Sequence, residues 1–121
     1  MGILTVVYGL NAMLLLLHEI ESAYEKEWEI LKLPGKITVF LLLHIPIILL
    51  LFYGLLETAK NSPTGRVLCI ITGICGAIPM LVHEVFVKRK GRFALLISKA
   101  VIYSNAAAGI ALAVLSARTL A

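Results

Sequence analysis

Three histidines, His18, His44 and His83, stand in three different apolar runs of the chain, at similar distances from the same end of the layer. Glu21 follows His18 by three positions, which puts both on one face of a helix. Glu19 and Glu84 each follow a histidine directly, and Lys99 enters the same level from a fourth run. Counted at 1.5 Å per residue, these groups share a layer roughly 6–10 Å below one face of a bilayer. Ionisable groups at such depth are costly, so they turn to the bundle interior, pair and serve a function by default. Imidazoles and carboxylates gathered in a dry layer suit a divalent metal, zinc or iron. His18, His44, His83 and Glu21 are the candidate ligands, with one position open for water or substrate. Glu19, Glu21 or Glu84 would then act as the general base on a bound water, in an enzyme for a hydrophobic, membrane-soluble small molecule. A haem between two facing histidines fits less well, because glutamates crowd the layer and only Lys99 could meet a propionate. The alternative from another class is an oligomeric proton or cation transporter or channel subunit using the same His/Glu layer. A third reading is a structural or partner-binding membrane protein, in which pairs such as Glu84 with Lys88 or Lys99 only fix helix register.

The elements that must position these groups follow from composition. Of 121 residues, 60% are hydrophobic and 15% charged, against roughly 25% charged in a soluble domain. Mean hydropathy is +0.99. That balance excludes a soluble domain, a disordered tail, a secreted disulfide scaffold and a nucleic-acid reader. Apolar runs cover residues 3–24, 37–56, 67–87 and 93–115, each long enough to cross a hydrocarbon core of ~30 Å. Backbone groups in lipid must be satisfied internally, so the runs are helices. Short connections at Leu33-Pro34-Gly35-Lys36 and Asn61-Ser62-Pro63-Thr64-Gly65 make neighbours antiparallel. The fold class predicted is all-α: a polytopic membrane protein, an antiparallel four-transmembrane-helix bundle forming a single domain over residues 1–121. The first helix is expected to outlast its span as an interfacial extension to residue 33, with Tyr24 and Trp28 at headgroup level and Glu25, Glu27 and Glu29 solvated.

Charge sets the expected orientation. Lys26, Lys32 and Lys36 share a side with Lys88, Arg89, Lys90 and Arg92, whereas Lys60, Arg66 and Arg118 lie opposite. The positive-inside rule then predicts an inner or plasma membrane protein with both termini outside and the basic loops cytoplasmic. The N-terminus lacks a basic region before its apolar run, and Val6 stands where a myristoylation signal needs Ser or Thr. Cys69 and Cys75 are ~9 Å apart along a helix and cannot bridge, so they are expected to pack. Small residues from Ser104 to Ala113, with Gly73 and Gly76, permit close helix approach within one chain or in a homo-oligomer. Asn11 and Asn105 share a depth near the midplane, where they are expected to bond to each other or to water. Pro46 and Pro79 lie near His44 and His83, where kinks would open space. Ser98 and Tyr103 are candidates to line the site.

The run Leu17-His18-Glu19-Ile20-Glu21-Ser22-Ala23-Tyr24, then Glu27-Trp28-Glu29, Leu33-Pro34-Gly35 and Leu43-His44-Ile45-Pro46, resembles a family of small bacterial membrane proteins of unknown function. More distantly it is similar to membrane families named for an HXXEE motif. His18 and Glu21 fit that motif, but Ser22 occupies the second glutamate position. The likeness covers mainly the first half of the chain. It implies a compact helical membrane protein of bacterial source and brings no assigned activity. A short echo relates Leu17-His18-Glu19-Ile20 to Val82-His83-Glu84-Val85, as two helix-pair halves would.

Overall fold

The computed structural model describes residues 2–87 and 95–120. The expectations for Lys88, Arg89, Lys90 and Arg92, and for the start of the fourth run at residues 93 and 94, lie outside them. The elements are α1 (Ile3–Tyr24), α2 (Glu27–Ile30), α3 (Lys36–Ala59), α4 (Pro63–Val82) and α5 (Leu96–Leu120). A π-helical turn, His83–Val87, continues α4. Among the described residues there is no strand, and α1, α3, α4 and α5 are long and apolar enough to cross a membrane. The expected all-α class with four spanning helices is therefore observed.

One element departs from expectation. The extension of α1 toward residue 33 is broken, because Lys26 and Lys32 adopt left-handed backbone conformations (φ 52° and 57°). Neither is glycine, so the turn is held by what it buries. Trp28 meets Phe40 with ring centroids 5.4 Å apart, and Ile30 packs on Val82. Reversal at Lys26 lets α2 fold over the end of the bundle. Glu27 is thereby buried while Glu29 stays exposed, so solvation holds for only one of the two.

The opposite turn is built from local chemistry. Asn61 takes φ 57°, a conformation asparagine tolerates. Ser62 then caps α4, its hydroxyl accepting from the Gly65 amide at 3.0 Å and donating to the Glu57 carboxylate at 2.7 Å. Pro63 follows at the first helical position, where its missing N–H costs nothing. Ser62→Ala should lose about 1 kcal/mol of stability, read as a lower unfolding midpoint of the purified protein in detergent.

In lipid, helices associate by close packing, not by escape from water. The tightest crossing joins α4 to α5, where Gly73 and Gly76 face Gly109 and Ala113 with backbones in direct contact. Asn11 and Asn105 are fully buried beside Gly76. The Asn11 amide donates to the Thr72 carbonyl at 2.9 Å. Tyr8 packs with Cys69 and Leu112 and donates to the Leu51 carbonyl at 2.7 Å, tying α1 to α3. Cys69 is a packing residue, as expected, and Cys75 is a half-buried free thiol. Helix α3 is the peripheral element, most of its apolar side chains facing outward, whereas α4 is the most buried of the four.

Candidate metal centre

Three elements meet where α2 covers the bundle end. His18 comes from the buried face of α1 that also carries Thr5, Tyr8, Asn11, Leu15 and Ser22. His83 comes from the first residue of the π-helical turn, four positions after Pro79. Such turns, and the backbone freedom a proline introduces, re-aim a side chain that a regular helix would point elsewhere. Glu27 comes from α2. All three are buried, and one ligand atom of each lies within 4.8 Å of the others. The His18 and His83 rings meet edge-on with centroids 5.0 Å apart. His18 Nε2 is 3.8 Å from the Glu27 carboxylate.

Tetrahedral nitrogen and oxygen ligands at ~2.1 Å from an ion stand about 3.4 Å apart. Closing the His18–Glu27 gap to that value takes a few tenths of an ångström. Two imidazoles and one carboxylate form a donor set suited to zinc or ferrous iron, with a position left for another oxygen. Burial pushes the Glu27 carboxyl above the usual carboxylate range, opposed by a hydrogen bond from Ser22. Ser22 is itself fully buried, its Oγ 3.3 Å from His18 Nε2.

A second pair adjoins the cluster. His44 Nδ1 sits 2.6 Å from the Phe40 carbonyl, which can only accept, so that nitrogen carries a proton. His44 Nε2 faces a Glu19 carboxylate oxygen at 2.5 Å. A further proton must lie between them, on the imidazole as an ion pair or on the acid as a neutral one. The other Glu19 oxygen is 4.0 Å from His18 Nε2, so Glu19 stands between the two histidines. Phe40 stacks on His44 at 4.1 Å, which with Trp28 makes an aromatic wall.

The remaining sequence-predicted residues go elsewhere. Glu21 accepts a hydrogen bond from Ser98 of α5. Glu84, exposed, accepts one from the Tyr103 hydroxyl, also on α5. Ser98 and Tyr103 thus meet carboxylates of the layer without entering the cluster. Lys99 does not join the layer either; it is exposed in the first turn of α5. His18 and His83 are brought together, and His44 is held beside them through Glu19. Glu27 escapes a reading of the sequence because Glu25, Glu27 and Glu29 look alike in a charged segment without Gly or Pro. The available signal is its neighbours, since Trp28 and Ile30 need burial that a straight solvated helix would deny them.

From the cluster a groove of about 440 Å³ runs between α1, α3 and α4. Its polar lining, His18, Glu19, Glu27, Lys36 and His44, gathers at the α2 end, and Thr72 is its far polar member. No curated protein and no solved structure matches the chain. Residues 4–119 do match a family model. They span His18, His44 and His83, the α2 carboxylate and the groove, so the chain belongs to DUF6713, a family of unknown function.

Proposed function

We propose that this chain is a metal-dependent membrane enzyme whose His18, Glu27 and His83 bind one divalent cation, zinc or iron. The observation that carries the reading is the convergence of three buried ligand atoms within 4.8 Å, contributed by α1, α2 and the turn after α4. When bound, such a cation acidifies a water and polarises an oxygen of the substrate. Glu19, close to His18 and sharing a proton with His44, is the carboxylate best placed to accept a proton at the site. In this reading Glu21 and Glu84 tie α1 and α4 to α5 through Ser98 and Tyr103. The basic loops face the cytoplasm, which puts the cluster just inside that interface and within reach of cellular metal.

The test is elemental analysis of the purified full chain. About one ion per chain is expected in the wild type, falling at least about tenfold in His18→Ala and in His83→Ala. His44→Ala acts only through Glu19 and should keep the ion at an affinity weakened about 10–100-fold. A folded wild type without metal overturns the proposal. The Glu19–His44 pair also favours a second reading, an oligomeric proton or cation carrier. That reading requires liposome flux that disappears in His44→Ala.

A further inference from the structure

The shape and chemistry of the groove point to one class of molecule. Along α4 its lining extends from Ile71 to Val82, a rise of ~16 Å. One leaflet of a ~30 Å hydrocarbon core is ~15 Å deep. Leu43 and Ile47 of α3 and Ile71 and Ile78 of α4 line the groove and are also exposed, so it opens sideways to the lipid between these helices. Its volume of about 440 Å³ falls in the lower part of the ~300–1,000 Å³ range of small-molecule sites, which suits one chain and not two. The far polar member is already occupied, because Thr72 Oγ1 donates to the Leu68 carbonyl at 2.8 Å. Among the described residues, the charged and imidazole side chains of the lining therefore stand at the end nearest the interface, and only Thr72 and the weakly polar Cys75 thiol lie deeper.

We infer that the groove holds a single-chain amphiphile drawn from the adjoining leaflet. Its tail lies between α1, α3 and α4, and its anionic head, a carboxylate or a phosphate, lies beside Lys36 and the His18–Glu27 cluster. The choice of an anionic head rests on the metal reading, since the cation and Lys36 supply the positive charge there; the single tail rests on the groove alone. Trp28 lines the head end and is the one tryptophan of the chain, so it reports occupancy directly.

The experiment reads quenching of Trp28 fluorescence in the full chain, in nanodiscs of unlabelled phosphatidylcholine. Four probes are brominated near the polar end: a long-chain fatty acid, the matching monoalkyl phosphate, the matching alcohol and a two-chain phosphatidylcholine. Saturable quenching is expected from the acid or the phosphate, about tenfold tighter than from the alcohol. The two-chain lipid should give only non-saturable quenching. Comparing acid with phosphate tells which head is preferred. Ile78→Phe, which fills the groove, should weaken the saturable phase about tenfold, and Leu43→Phe does the same from the α3 side. Equal, non-saturable quenching by all four probes in the wild type overturns the inference, however the variants behave. Metal content measured on the same sample separates the two readings. Full metal with non-saturable quenching sinks the groove alone. Saturable binding to metal-free wild type, with acid and alcohol equal, sinks the anionic head and the metal reading together.

Discussion

Gly73→Ala should cost about 3 kcal/mol of stability, because its methyl group would meet the backbone of a second helix. A Cβ at Gly73 lands 2.5 Å from the Gly109 carbonyl oxygen and 2.9 Å from the Ala113 nitrogen. Both are backbone atoms of α5, so no side chain can rotate away. The helices must separate, and separation forfeits the dispersion attraction that holds them together where lipid competes on equal terms. Gly9→Ala provides the comparison: its Cβ meets nothing within 4 Å, and alanine is the better helix former. That variant should be neutral or gain up to about 1 kcal/mol. Unfolding of the two proteins in mixed micelles decides the point, and equal midpoints would show that the α4–α5 crossing is not the closest joint of the bundle.

Glu27→Gln should abolish metal binding, lowering affinity by more than about a hundredfold, while leaving the fold intact. Glutamine keeps the shape and a carbonyl oxygen but removes the only carboxylate in the three-residue cluster. The same change has a second, opposite effect on the metal-free protein. Burial raises the Glu27 carboxyl above its unfolded value, so the folded state binds this proton more tightly than the unfolded state does. The stability it contributes is fully present below the ordinary glutamate range and is lost as pH rises through the raised value. Relative to Glu27→Gln, metal-stripped wild type should therefore lose stability as pH rises through that window. At neutral pH the variant is expected to be the more stable of the two and unable to hold the ion, the usual opposition between stability and a working site. Thermal midpoints over a pH series, with and without added zinc, measure both effects. A gap between the two metal-free midpoints that does not widen in favour of Glu27→Gln as pH rises contradicts the assignment.

The four spans could be read from hydropathy because backbone chemistry in lipid leaves a long apolar run only one conformation. Which face of each helix turns inward was harder to read. Lipid and a packed helix interior are equally apolar, so an all-round apolar helix such as α3 carries no stripe to orient it. The shared depth of His18, His44 and His83 was visible from counting residues; that His18 meets His83 while His44 turns to Glu19 was not. The choice among neighbouring carboxylates was not visible. Glu21 and Glu84 turn toward Ser98 and Tyr103 on α5, and nothing in α1 or α4 alone encodes where α5 packs. The entry of Glu27 depends on a left-handed turn at Lys26, which is set by the burial of Trp28 and Ile30, not by a local breaker.

The Glu19–His44 pair also bears on the order in which the bundle is made. Each of these groups alone would resist entry into hydrocarbon. Both belong to spans synthesised before α4, and together they form a unit of zero net charge, wherever the shared proton rests. The α1–α3 hairpin can thus leave the translocation machinery with this part of its layer neutralised, before α4 exists to pack on it. His83 arrives later, in the turn that continues α4, and meets His18 in a layer already assembled. Removing His44 should then be felt during insertion, as a shortage of finished protein in the membrane, before it is felt at the metal.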